Sequence, residues 1–253
     1  KLHFIIAPMV HWPEVMMEYE ETEKILFSAD GFGKFGTLDT DEDWDCEARR
    51  YYFNIVGKYG MQVQSVLKKA SKLDIKTICP LHGPILRENL EHYINKYDIW
   101  SKYETESEDD GVLVACASIH GNTLKVCEKL KEILEKKGAA KVVLADLSRE
   151  DWAEAVEDSF RYGKIVFASA TYDMGIFTPM RDLLLNLKER NYQNKKVAII
   201  ENGTWAPNAA RCMKEIISTM KNIEIVEPVV TIKSTLKEEN IEKLNELAKN
   251  LLK

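Results

Sequence analysis

Between residues 111 and 253, five apolar runs alternate with amphipathic segments, and few patterns limit a fold so narrowly. The runs are VLVACAS (112–118), KVVLADL (141–147), KIVFASA (164–170), KVAIIEN (196–202) and IEIVEPVVTI (223–232). Such continuous apolar stretches suit strands buried on both faces rather than half-solvated ones. In 124–134, Leu124, Val126, Cys127, Leu130, Ile133 and Leu134 share one face at three- and four-residue spacing. Ile241, Leu244, Leu247, Ala248 and Leu251 repeat that spacing near the end of the chain. Five strands, each followed by a helix, predict a parallel sheet covered on both faces. Right-handed crossovers make it a doubly wound α/β layer.

The preceding hundred residues are less regular. Strands are expected at 2–7, 24–29 and 75–80, and helices at 63–73 and 90–100, but no sheet order closes from them. SKYETESEDDG (101–111) has no apolar period and carries Glu104, Glu106, Glu108, Asp109 and Asp110. It reads as a solvated join. The expected division is therefore 1–104, an acidic linker at 105–110, and 111–253.

Of the 253 residues, 45% are apolar and 30% charged, enough for a real core. A net charge of −6 disfavours nucleic acid as a partner. No apolar stretch approaches the ~20 residues that span a bilayer, so no membrane partner is expected. The five cysteines are scattered without a CxxC pair. That suits a reducing cytosol and a cytoplasmic location.

Chemistry concentrates after the strands. SIHGNT (Ser118, Ile119, His120, Gly121, Asn122, Thr123) follows a buried strand and opens a helix. Hydroxyls, an amide, a glycine and free N–H groups of a first helical turn make an anion site suited to phosphate. The spacing is neither GxxxxGK[ST] nor GxGxxG. SATYDMGIF (169–177) and ENGTWAP (201–207) end two further strands at the same sheet edge, where doubly wound sheets bind ligands. Tyr172 and Trp205 offer rings for a planar cofactor, and the amides of Asn202, Gly203 and Thr204 offer donors for its polar edge. These three segments resemble the loops of a flavodoxin-like domain. The resemblance implies a five-stranded sheet in the order 2-1-3-4-5 and bound FMN, with Thr171, Tyr172, Asp173 and Gly175 in the second loop. Met174, Ala206 and Pro207 depart from the small residues usual there.

In the first part, His11 follows LHFIIAPMV, Asp30 follows KILFSA, and His82 follows KTICPL. Singly, each reads as a turn residue. Together, imidazole and carboxylate suit zinc, iron or manganese, and a carboxylate bridges two ions readily. PMVHWPEVM, LFSADGFG and PLHGPI, in that order before a flavodoxin-like domain, resemble the flavodiiron proteins. Those proteins join a metallo-β-lactamase-like αβ/βα sandwich to a flavodoxin-like domain. By this resemblance His11 and His82 each serve a different iron ion and Asp30 bridges the two. The segment 41–59 forms family-typical loop and helix, with Asp41 and Asp45 solvated. The family's other ligands lie in an HxExDH-type motif that does not occur in these residues. The metal site is thus expected to be incomplete, and the chain to be the C-terminal portion of such a protein.

The resemblance implies an oxidoreductase. FMN passes electrons to a diiron centre that reduces dioxygen to water or nitric oxide to nitrous oxide. It further implies a redox donor such as rubredoxin or a flavin/NADH reductase, and a head-to-tail homodimer. The competing expectation is an FMN-binding electron-transfer module without catalytic metal. Hydrolysis at a lactamase-like zinc site is the weakest alternative, because an attached flavin domain has no part in it.

Overall fold

The computed structural model describes residues 1–39, 42–106 and 110–253. The chain divides into two compact units, Lys1–Glu104 and Thr105–Lys253.

The first unit carries strands β1 (Leu2–Ile6), β2 (Met16–Glu20) and β3 (Ile25–Phe27), then helices α1 (Trp44–Tyr51) and α2 (Gly60–Ala70). Strand β4 (Thr77–Cys79) and helix α3 (Leu90–Ser101) complete it. The sheet order is β1-β2-β3-β4; β1, β2 and β3 pair antiparallel and β4 joins β3 in parallel. Strand β2 escapes sequence reading because MMEYE looks polar. Only alternate residues, Met17 and Tyr19, turn inward.

The inward face holds Ile5, Met17, Tyr19, Leu26 and Ile78, all buried. Trp100, Tyr97, Tyr52 and Phe53 form an aromatic layer in the same unit, with Tyr52 and Tyr97 rings 5.1 Å apart edge to face. The opposite face is bare. Leu2, Phe4, Ile6, Met16 and Phe27 are 45–57% exposed, and the register aligns Phe4 with Glu18 and Phe27 and pairs Ile6 with Met16.

The second unit contains β5 (Val112–Ala117), α4 (Asn122–Lys136), β6 (Val142–Asp146), α5 (Trp152–Arg161) and β7 (Lys164–Tyr172). It continues with β8 (Gly175–Ile176), α6 (Thr178–Glu189), β9 (Gln193–Asn202), α7 (Ala209–Ile217), β10 (Lys221–Ile232) and α8 (Glu238–Leu251). The main sheet runs β10-β9-β7-β5-β6, all parallel. Numbering its five long strands along the unit gives 2-1-3-4-5, the order implied by the flavodoxin resemblance. Every residue of β5 is buried, and one core packs Val114, Cys116, Val126, Leu130, Ile200, Leu244 and Leu247 together.

Two surface expectations change. The acidic join is not wholly solvated: Tyr103 and Glu106 are buried, and Tyr103 Oη donates to the Gly57 carbonyl at 2.9 Å. Thr105 Oγ1 accepts from Lys195 Nζ at 3.1 Å, which draws the start of the segment into the second unit. Glu108 and Asp109 lie outside the described residues, as does Asp41. Asp45 is not free in solvent; His92 Nε2 lies 2.6 Å from one carboxylate oxygen and Lys96 Nζ 3.0 Å from the other. Both partners stand on α3, which the sequence placed correctly but without this contact.

Candidate metal and flavin sites

Asp30 and His82 meet because of strand register. Strands β3 and β4 are parallel, with Phe27 opposite Cys79. Each site residue lies three positions beyond its strand residue, so the ladder carries Asp30 and His82 to the same edge. The loops are locked there. Ser28 Oγ donates to the Gly31 carbonyl at 2.6 Å, Leu81 N donates to the Ala29 carbonyl at 2.8 Å, and Phe32 N donates to Tyr97 Oη at 2.8 Å. His11 follows β1, which lies two strands from β3 and runs in the same direction, on a tight turn in which Met9 N donates to the Trp12 carbonyl at 2.7 Å.

The result is a carboxylate flanked by two imidazoles. His11 Nε2 lies 3.3 Å from Asp30 Oδ2, and His82 Nε2 lies 3.7 Å from Asp30 Oδ1. Each histidine faces its own oxygen, the geometry a bridging carboxylate requires. Among the described residues no three His, Cys, Asp or Glu side chains are set to hold one metal ion. The unit supplies one nitrogen and one oxygen donor on each side of Asp30. The donors fit the two-ion reading in type and arrangement, and they fit it in part.

Residues missed in the sequence surround this centre. Tyr51 packs its ring edge-on to His82, centroids 4.5 Å apart. Burial, and then the negative charge of Asp30, hold its phenol well above the usual tyrosine range. Gly33 lies against His82, and Lys34 is buried beside it. No sequence pattern announces these contacts, because they come from register and loop packing.

In the second unit, β5 ends at Ala117 and α4 begins at Asn122. Gly121 makes the turn at φ +82°, a conformation that favours glycine, and a side chain there would meet open space. No side chain caps α4, so the N–H groups of its first turn stay available to an anion. Thr123 is buried. Ser118 Oγ is buried and has no hydrogen-bond partner. A buried hydroxyl without a partner costs about 1–3 kcal/mol. Beside an uncapped helix, that orphan fits a phosphate acceptor. His120 is exposed and Ile119 half-exposed, so the loop residues between Ser118 and Gly121 offer backbone rather than enclosed side chains.

The second loop is a hairpin. Tyr172 pairs with Gly175 across Asp173 and Met174, both in the left-handed region at φ +46° and +58°. Tyr172 is half-exposed at its rim. Thr171 Oγ1 is already committed, accepting from Asn208 N and Ala209 N at 3.0 and 3.2 Å and so capping α7.

In the third loop, Trp205 is 95% exposed, an unusual position for so large an apolar ring. One of the three expected backbone amides is engaged: Gly203 N donates to the Ile232 carbonyl at 3.0 Å. The Asn202 side chain bonds both backbone groups of Ser234. Gly203 is required for close approach, since a Cβ there would stand 2.9 Å from Pro207 Cα. Glu201, unsuspected in the sequence, holds this end of the sheet together, accepting from Ala210 N and from the Thr231 hydroxyl.

Fold and sites define a two-part α/β protein: part of a metallo-β-lactamase-like unit, then a flavodoxin-like one. Residues 1–83 match the family described as ODP family beta lactamase. The nitric oxide reductase of Moorella thermoacetica is 26% identical over 99% of this chain and 64% of its own length. The flavodiiron protein of Giardia intestinalis superposes with a TM-score of 0.88 at 25% identity, again over 99% and 64%. Rubredoxin oxygen:oxidoreductase of Desulfovibrio gigas shares the fold with a TM-score of 0.90 at 22% identity, with the same coverage. The chain is thus similar to flavodiiron proteins and spans about 64% of the length of each of these three.

Proposed function

We propose that this chain forms the flavin-bearing part and a share of the metal centre of an FMN- and diiron-dependent oxidoreductase. In that reading residues 1–104 belong to the metal-bearing domain, 105–110 join it, and 111–253 bind FMN. The bound groups supply electron transfer from flavin to iron and the reduction of dioxygen to water, nitric oxide to nitrous oxide, or both. The observation that carries this reading is Asp30, each of whose oxygens faces a different histidine. That arrangement has no use in a simple electron carrier.

The remaining assignments follow from the chain's own residues. Asp30 shares its charge between two cations, and His11 and His82 offer one nitrogen to each. The buried Ser118 hydroxyl, Thr123 and the free amides of α4 hold a phosphate, and Tyr172 and Trp205 lie against a flat ring system. Thr204 and the hairpin backbone at Asp173 and Gly175 are the proposed contacts to the ring's polar edge. A redox protein such as rubredoxin, or a flavin/NADH reductase, supplies electrons. A head-to-tail homodimer and a cytoplasmic setting complete the proposal, and no helix among the described residues is long and apolar enough to cross a membrane.

The alternative, an FMN-binding electron-transfer module, is favoured by one observation: no three ligands converge on one ion among the described residues. Iron and flavin analysis of the native protein separates the two. Two irons per FMN support the oxidoreductase; FMN without stoichiometric iron supports the carrier.

A further inference from the structure

His82 is held by something more specific than packing. Its Nδ1 lies 2.9 Å from the backbone carbonyl of Lys34. A carbonyl only accepts, so Nδ1 carries the proton and Nε2 is left with its lone pair. That lone pair is on the side of Asp30. The ring reaches this position only because residue 33 has no side chain. A Cβ on Gly33 would stand 2.3 Å from Cε1, 2.7 Å from Nδ1 and 2.8 Å from Nε2 of His82.

The acceptor is itself anchored. Lys34 Nζ donates to the Phe35 carbonyl at 3.1 Å and pairs with Glu42 at 3.3 Å, and the residue is only 6% exposed. From the other side, Gly83 sits at φ +85°, where a Cβ would come 3.1 Å from Lys34 N. Two glycines therefore let the 33–34 and 82–83 backbones close on each other, with the imidazole fixed between them. Tyr51 packs against the imidazole as well, ring centroids 4.5 Å apart and planes at 66°.

We propose that Gly33 and the Lys34 carbonyl are positioning elements that fix His82 as the Nδ1–H tautomer, presenting Nε2 to a cation beside Asp30. The inference rests on the metal reading of this centre and adds how one ligand is pre-set for it. Outer contacts of this kind typically change metal affinity about ten- to a hundredfold.

Gly33→Ala is the decisive variant. Gly33 does not occupy the left-handed region, and the atoms a Cβ would strike belong to a rotatable imidazole. The fold therefore yields by turning His82 away, not by unfolding. Long-range proton–nitrogen NMR of the metal-free full chain, at about pH 8 where an ordinary histidine is neutral, reads the tautomer directly. In the wild type, His82 is expected to show a protonated Nδ1 and an unprotonated Nε2. In Gly33→Ala the His82 signals should move toward a tautomer mixture while those of His3, His92 and His120 stay put. Cobalt(II) titration should then show affinity at His82 reduced about tenfold or more.

An unprotonated Nδ1 in the wild type overturns the proposal, even if the variant does not fold. So does a variant with unchanged tautomer and cobalt affinity. If cobalt perturbs neither His11 nor His82 in the wild type while the tautomer is as expected, the metal reading fails and the positioning of the ring stands.

Discussion

The two sheets of this protein differ in how completely each buries itself. In the second unit every residue of β5 is buried, and helices pack on both faces of its sheet. In the first, only Ile5 of the five residues of β1 is buried, and the outer face shows Leu2, Phe4, Ile6, Met16 and Phe27. Exposed apolar area on that scale marks a surface made for contact. The sites follow the sheets. The proposed phosphate loop is assembled from one strand end and one helix within a closed layer. The proposed metal centre, at the end of a half-covered sheet, sets His11 and His82 against the two oxygens of one aspartate.

The sharpest way to break this contrast is Asp30→Ala. If the two ions depend on one carboxylate, the variant of the native protein loses both irons and keeps its FMN, read as the iron-to-flavin ratio. Retention of even one iron at full occupancy would remove the bridging role. Next in size is Ser118→Ala. The hydroxyl is buried and unpartnered, so its removal should leave the flavin-free protein as stable or slightly more stable. The same change should weaken FMN about tenfold or more, the worth of one hydrogen bond to a charged group. Flavin fluorescence titration checks the affinity and thermal unfolding the stability. Unchanged FMN affinity would dismiss the phosphate-loop assignment.

Much of the second unit was legible because buried parallel strands write themselves as apolar runs. The observed strands match those runs to within a few residues at either end; β6 is one residue shorter at each end, and β9 begins three positions early, at Gln193. The hairpin β7–β8 was not legible, since two left-handed residues at Asp173 and Met174 carry no glycine to signal them. Nor was the engagement of the Gly203 amide by Ile232, which depends on the neighbouring strand. In the first unit, short strands defeated periodicity. Yet the 52-residue offset between Asp30 and His82 equals the register offset of β3 and β4, from Ile25 opposite Thr77. That number was present in the sequence, without meaning until the pairing was known. Gly33, Lys34 and Tyr51 had no signal at all, because their contacts with His82 arise only where separate loops and a helix meet.

A different consequence of burial lies at the far end of β9, where it has trapped a charge. Lys195 is 3% exposed, and its ammonium donates to the Phe160 carbonyl at 2.6 Å and to Thr105 Oγ1 at 3.1 Å. Burial pushes its pKa down to about 7, with the Glu106 carboxylate opposing the shift. An unfolded lysine titrates near 10.4. Between these values the unfolded chain holds a proton that the folded unit has released, so stability climbs with pH through this window and is lowest below it. The rise can reach at most about 1.4 kcal/mol per pH unit. Lys195→Met should flatten the climb and raise stability at about pH 6, where the buried charge is fully present. Urea unfolding of the second unit at several pH values, followed in both proteins, decides it. Parallel curves for wild type and variant would mean that some other group sets the slope, and that the closed unit accommodates its buried lysine without penalty.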